Sequence, residues 1–291
     1  MKKRSMGDRI FDAIVYAILV VVFLIVFFPL MYVVSTSFAS ARELALNKFL
    51  IFPKHPTLEV YQYIFSTSTF LRSMIVTIVI TVVGTLVNLV MTCLMAYPLS
   101  RKALPGRSVI MTAVTFTLVF SGGMIPTYLV VNSLGLIDTY TSLILPGAIS
   151  SFNLILVKNF FQEIPESLID AAQIDGSSEM NTLAKIVLPL SKPALATFTM
   201  FYAVGHWNQF MQPLLYLNDS KKWTIQILLR QIVLMSQSGV GDEDAMPPGF
   251  VLPVKSLKMA CIVVSTLPII AAYPFMQKYF DKGVMSGSIK G

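Results

Sequence analysis

Residues Glu163–Pro189 read EIPESLIDAAQIDGSSEMNTLAKIVLP, a polar island of 27 residues between long apolar runs. Pro165 suits the first turn of a helix, where its missing N–H is not needed, and Glu166 and Asp170 favour the positive end of the helix dipole. A short helix is therefore expected to start near Pro165. Leu168, Ile169 and Ala172 fall on one face of it and Glu166, Asp170 and Gln173 on the other, so one side can rest on a partner. Gly176 adopts a left-handed C-cap at little cost and stops the helix. Ser177 or Ser178 then caps a second helix that carries Met180, Leu183 and Val187 at helical spacing and ends at Pro189. The shape, helix, sharp turn, helix, also serves as plain connection in many proteins, so the surroundings must decide its meaning.

Those surroundings are membrane. The chain is 55% hydrophobic and 13% charged with mean hydropathy +0.71, where a soluble domain of this size carries about 25% charge. The net charge of +7 is spread in short clusters at the ends of apolar runs rather than along a stripe. That pattern marks topology and not nucleic-acid binding. Cys93 and Cys261 lie in separate apolar runs and His55 and His206 lie far apart, so neither a disulfide nor a metal site is indicated. No paired carboxylates within the membrane-spanning runs, no Ser/His/Asp grouping and no phosphate-binding G-x-x-x-x-G-K-[ST] occurs. Catalysis and bound cofactors are therefore not expected of this chain.

The fold class expected is all-α, a polytopic membrane protein with six transmembrane helices at about 10–34, 73–100, 108–131, 141–157, 193–217 and 259–276. Together with the loop at 163–189 they make one membrane domain over 1–291. The first apolar run follows Lys2, Lys3, Arg4 and Arg9 and is too long for the apolar core of a signal peptide, so it reads as an uncleaved first helix. The third is interrupted by Gly122-Gly123 and Pro126, breaks that survive in lipid only where protein or a wet cavity satisfies the backbone. Residues 35–72, 132–140 and 218–258 are expected to be connecting loops. Of 22 Lys and Arg, 13 fall on the side of the termini and the island and nine on the other. The short loop 132–140 contains none, which sharpens the bias. Both termini and the island are therefore expected in the cytoplasm, in a multi-pass protein of the cell membrane.

Asp170-Ala171-Ala172, three residues, Gly176, nine residues, then Ile186-x-Leu188-Pro189 resembles the EAA signature of binding-protein-dependent ABC importer permeases, with Asp170 where that family usually has Glu. The resemblance is nearest to the carbohydrate, maltose-type permeases and their branch for oligosaccharides and polysaccharide fragments. It is also carried by SGGMIPTYLVVNSLGL at 121–136, WNQFMQPLLYL at 207–217 and GVMSGSIKG at 283–291. It implies that the first island helix is a coupling helix seated on a separate ATPase dimer, with Asp170, Ala171, Ala172, Gly176, Ile186, Leu188 and Pro189 as its coupling residues. It further implies a second permease subunit, an extracellular or periplasmic sugar-binding protein, and ATP with Mg used by the ATPase rather than by this chain. Gly287, Lys290 and Gly291 would form a tail that reaches into the ATPase dimer; a frayed end is the plain alternative.

The fifth apolar run is the most polar of the six. His206, Trp207, Asn208, Gln209 and Gln212 cluster within two turns, and such groups are costly in hydrocarbon unless they face protein or water. Neutral amides and an aromatic ring suit a sugar's hydroxyls and its C–H face, so Trp207, Asn208, Gln209 and Gln212 are candidate pathway residues, with Asn208 and Gln212 paired at i, i+4. Tyr128, Asn132 and Asn153 are further candidates. Hydrogen bonds between helices are the competing account of all of them. Asp242-Glu243-Asp244 before Pro247-Pro248-Gly249 reads as a solvated acidic turn or as a docking surface for the binding protein. Permeation of another solute, such as a peptide or polyamine, and a membrane-embedded enzyme or receptor are the alternative functions.

Overall fold

The apolar runs fold as helices in a computed structural model of the protein, which describes residues 6–46, 51–238 and 254–287. In chain order these are α1 (Met6–Ser37), α2 (Ala41–Leu46), α3 (Glu59–Ser66), α4 (Ser68–Ser100), α5 (Arg107–Val119), α6 (Met124–Ser133) and α7 (Thr141–Ile144). Then come α8 (Ser151–Gln162), α9 (Glu166–Ile174), α10 (Glu179–Thr182), α11 (Leu188–Leu190), α12 (Lys192–Trp207), α13 (Met211–Tyr216), α14 (Ile225–Ser238) and α15 (Val254–Gly287). No strand occurs among the described residues. Among the described residues, three stretches are long and apolar enough to cross a membrane unbroken: Arg9–Ser37, Ser68–Ser100 and Val254–Pro274. Three more spans arise if each bent pair counts as one: α5 with α6 at 118°, α7 with α8 at 55°, and Glu179–Leu190 with α12 at 86°. Six spans result in that case.

Each bend has a local cause. Between α5 and α6, Gly123 takes φ +84° and Phe120 is extended, at the break that Gly122-Gly123 foreshadows. Between α7 and α8, Leu145-Pro146-Gly147 tightens to a 3-10 turn, and Ser150 caps the new helix by accepting from the Asn153 N–H at 3.4 Å. The run at 141–157 thus contains a break that its even hydropathy conceals. The fifth run also differs from the expected continuous 193–217: α12 has 16 residues, about 24 Å at 1.5 Å per residue. It ends where the Asn208 side chain turns back to donate to the Val204 carbonyl at 3.0 Å. The region 218–258 is not all loop, because Ile225–Ser238 forms α14 and buries Ile225 and Ile227.

The chain divides into two compact units, Met1–Ser68 with Leu229–Leu267, and Thr69–Leu228 with Pro268–Gly291. In the first, Ser256 Oγ donates to the Ala39 carbonyl at 2.8 Å, and Ser37 and Tyr61 share a 2.6 Å hydroxyl pair with Phe38 against the Tyr61 ring. Its buried apolar residues include Ala39, Val60, Ile64 and Ala260. In the second, one core gathers Ala96, Leu99, Leu154, Val157, Phe161, Leu183, Val187 and Phe198 around the island. A second core joins Ile80, Val131, Leu143, Tyr216 and Leu217.

Beside that second core, the loop after α6 is locked to the segment after α13. Asp138 sits at φ +60°, a left-handed conformation that Asp tolerates better than most side chains. Its carboxylate accepts from the Asn218 and Asp219 N–H groups at 3.1 Å and from Lys222 Nζ at 2.6 Å. The Lys222 ammonium foremost, helped by those N–H groups, holds the Asp138 carboxyl below its ordinary value of 3.8. A folded-state pKa below the unfolded one gives stability that is complete above the unfolded value and lost as pH falls through the folded one. The thermal midpoint of the purified protein should therefore fall on Asp138→Asn at neutral pH, and the gap to the parent should close as pH drops below about 4. A gap that is independent of pH would mean that the carboxylate charge is not what holds these loops.

Candidate functional site

The island forms as its punctuation dictates. Pro165 occupies the N-cap and α9 runs from Glu166 to Ile174. At its end the Gly176 N–H bonds the Gln173 carbonyl at 3.0 Å and the Ser177 N–H bonds the Ala172 carbonyl at 2.9 Å, with Gly176 at φ +78°. This pair of bonds is the Schellman motif, which needs a left-handed residue at the position Gly176 holds. Ser178, not Ser177, caps α10 by accepting from the Asn181 N–H. Leu183–Val187 then widens to a π-helix whose last bond runs from the Leu188 N–H to the Leu183 carbonyl. Pro189 explains the widening, since it has no N–H for the Lys185 carbonyl and its ring crowds that group. The second island helix thus continues one residue past Pro189 and turns at Ser191 into α12.

Only part of α9 rests on the core. Ile169 and Ala172 are buried, whereas Leu168 is 45% and Ile174 86% exposed, together with Asp170 and Ala171. Leu168 differs from the expected face because residues i and i+1 lie about 100° apart on a helix, which puts it on the flank. Gly176 and Pro189 are exposed and Ile186 and Leu188 half-buried. A short helix therefore presents one polar and apolar face outward, anchored from behind by Ile169 and Ala172.

The polar residues of the fifth run separate. Trp207 is buried, 5% exposed, and Asn208 and Gln212 are exposed but on different elements, Asn208 as the C-cap of α12 and Gln212 in α13. They are therefore not an i, i+4 pair of one helix. Gln209 donates to the Leu143 carbonyl at 3.1 Å, the Trp207 carbonyl accepts from Gln226 Nε2 at 3.3 Å, and Tyr128 stacks on Tyr216 with ring centres 6.1 Å apart. Asn132 is exposed in the last turn of α6, and Asn153 is buried in the first turn of α8. The acidic turn at 242–249 and the tail residues Lys290 and Gly291 lie outside the described residues, and Gly287 is the last residue of α15.

A network that was not singled out in the sequence joins α4 to α12 and to the break before α8. Asn88 Nδ2 donates to the Gly147 and Ala148 carbonyls, at 2.5 and 3.0 Å, and Asn88 Oδ1 lies 2.6 Å from His206 Nε2. With both amide hydrogens committed, Oδ1 must accept, so His206 carries its proton on Nε2. One turn on, Thr92 and Tyr202 share a hydroxyl hydrogen bond of 2.7 Å. One turn back, Gly84 leaves room for the His206 ring, whose Nε2 would lie 2.6 Å from a Cβ at that position. The available signal was Gly84, Asn88 and Thr92 at i, i+4, i+8 in a span free of charge.

A model of the family described as binding-protein-dependent transport system inner membrane component matches residues 1–286. The chain belongs to that family. As a member of the binding-protein-dependent transport family, it is 51% identical over 286 residues to the polygalacturonan/rhamnogalacturonan transport system permease protein YtcP of Bacillus subtilis, covering 98% of this chain and 100% of that one. It is 30% identical over 273 residues to the arabinooligosaccharides transport system permease protein AraQ of Halalkalibacterium halodurans, covering 91% of each. Among solved structures, a chain from a bacterial ABC transporter involved in the import of the acidic polysaccharide alginate superposes with a TM-score of 0.90 at 31% identity, covering 96% of this chain and 100% of that chain. The all-α, multi-span architecture read from the sequence is thus that of an inner-membrane sugar permease.

Proposed function

We propose that this chain forms half of the pathway of an ATP-driven importer for an oligosaccharide or polysaccharide fragment, and that it works beside a second, similar permease subunit. The observation that carries the reading is near-complete coverage of a polygalacturonan/rhamnogalacturonan permease at 51% identity. Its partners are an ATPase dimer that uses ATP and Mg, and a sugar-binding protein that delivers the substrate on the opposite face. Helix α9 docks on the ATPase through its outward face, with Asp170, Ala171 and Ile174 in the contact and Gly176, Ile186, Leu188 and Pro189 fixing its setting; the exposure of Ile174 beside buried Ile169 and Ala172 supports this. Both termini and α9 lie in the cytoplasm. Deleting the chain from its host should abolish uptake of one labelled member of a panel that contains oligogalacturonides, arabino-oligosaccharides, a peptide and a polyamine. Unchanged sugar uptake together with lost peptide or polyamine uptake would replace the sugar reading.

Two outcomes test the parts. In a background lacking Cys93 and Cys261, both of which are buried, Ser177→Cys should react with an impermeant thiol reagent only from the cytoplasmic side and Ser220→Cys only from outside. The reverse pattern would remove α9 from reach of an ATPase. The pathway is assigned to the exposed amides of Asn208 and Gln212. Replacing both by Leu should remove hydrogen bonds to sugar hydroxyls worth about 0.5–1.5 kcal/mol each and lower transport in complex that still assembles, with Gln212→Leu alone, which leaves the Asn208 cap on the Val204 carbonyl, giving part of the loss. Transport at the parent rate and apparent affinity would make them packing residues.

A further inference from the structure

Glu179 ties three elements together at the end of the second span. Its Oε1 accepts from Gln173 Nε2 of α9 at 2.8 Å, and its Oε2 accepts from the Tyr97 hydroxyl in the last turn of α4 at 2.6 Å. Arg101 completes the group: Nη2 donates to the Tyr97 oxygen at 3.1 Å, stands 3.9 Å from Glu179 Oε2, and the guanidinium lies 5.2 Å from the centre of the Tyr97 ring. Tyr97 is buried, 6% exposed, so its hydroxyl has a fixed place, whereas the Glu179 side chain is 63% exposed. We propose that Glu179 is a positioning residue that sets α9 against α4, so that a movement of α9 is passed through Tyr97 to the second span. The inference rests on the reading of α9 as the ATPase-docking helix.

First, α4 continues as one helix of 33 residues, although Pro98 beside Tyr97 leaves the Leu94 carbonyl without its helical N–H. The helix that Tyr97 holds at one end therefore also carries Thr92 and Asn88, whose partners are Tyr202, His206 and the carbonyls at the break before α8. A rotation or shift imposed at Tyr97 reaches these contacts along one continuous helix, the kind of physical link that coupling between sites requires. Second, the carboxylate is exposed, and exposed charge pairs add little to stability. Two donors from two different helices converge on its two oxygens, so its larger effect is on orientation. A glutamine at 179 has one acceptor oxygen for two donors, and its amide group must face one of them.

The test uses the complete complex, with partner permease, ATPase and binding protein, reconstituted in proteoliposomes with the oligosaccharide that the uptake panel identifies. The readout is sugar imported per ATP hydrolysed, with thermal stability measured alongside. Glu179→Gln and Tyr97→Phe should each lower the ratio several-fold. The double variant should be no worse than the worse single one, and the thermal midpoint should stay close to the parent's. A parent ratio in both single variants, or a ratio that falls only in step with a lowered midpoint, overturns the inference. Ile174→Asp on the outward face separates the two levels, because it should release the ATPase on purification. If the ATPase stays bound and fully stimulated, α9 is not the docking helix, and the inference falls with that reading. If the ATPase is released while Tyr97→Phe and Glu179→Gln keep the parent ratio, the role of Glu179 alone is refuted.

Discussion

Gly84→Ala should lower the thermal midpoint of the purified permease and depress transport, although the substitution adds only one methyl group to a helix. In an open helix position the change would be favourable by about 0.5–1 kcal/mol. Here the new Cβ would meet His206 Nε2, Cε1 and Cδ2 at 2.6, 2.7 and 2.9 Å. A free ring would swing away, but this one is held by Asn88, which is itself held by the Gly147 and Ala148 carbonyls. Moving it leaves the Asn88 oxygen unpaired at about 1–3 kcal/mol, and keeping it in place overpacks the seam at a similar cost. Either route outweighs the helix gain, and Gly84→Leu should prevent assembly. His206→Ala opens the space, so Gly84→Ala in that background should cost little or nothing further. A double variant as unstable as the sum of its singles would show that the His206 ring is not what the Cβ meets.

Gly176 should respond to backbone preference and not to size. Nothing lies within 4 Å of a Cβ built there, and φ is +78°. The left-handed conformation costs most residues roughly 1–2 kcal/mol, whereas Asn tolerates it. Gly176→Asn should therefore keep substrate-stimulated ATP hydrolysis near the parent level, and Gly176→Leu should reduce it. Gly176→Val should reduce it further, because its branched Cβ suits that region worst. The affected group is α9, whose last turn is closed by the Gly176 and Ser177 N–H groups. Equal loss in the Asn and Val variants would point to a bulk-sensitive contact with a partner and against strain in the turn.

How far the chain is legible depends on where its signals lie. Pro165, Gly176 and Ser178 act within a few residues of themselves, so the helix, turn and cap of the island can be read directly from the sequence. The long runs at 10–34 and 73–100 likewise need only hydropathy and length. The break at Leu145–Gly147 is harder, because Pro146-Gly147 lies in an uncharged run and the Gly147 and Ala148 carbonyls are satisfied by Asn88, about 60 residues earlier. Helix α14 was hidden because Lys221, Lys222 and Arg230 give its neighbourhood the composition of a loop, while its buried Ile225 and Ile227 are two residues apart, on nearly opposite sides of a helix, and so draw no helical stripe. Asn208 and Gln212 fit one helix face on paper, but the Asn208 side chain caps the Val204 carbonyl and ends α12 between them. The pairing of His206 with Asn88 spans 118 residues and follows from packing alone.

The proposed function has this chain carry an oligosaccharide across the membrane with ATP hydrolysed by a partner bound to α9. Proteoliposomes that hold the chain with its partner permease and ATPase, with ATP inside and the binding protein and labelled oligosaccharides outside, test it most directly. Accumulation of one labelled oligosaccharide that requires ATP, and that is lost when this chain carries Ile174→Asp, is the result predicted. ATP hydrolysis stimulated by the loaded binding protein without accumulation of any acidic or neutral oligosaccharide, or accumulation that persists in the Ile174→Asp complex, would contradict the account.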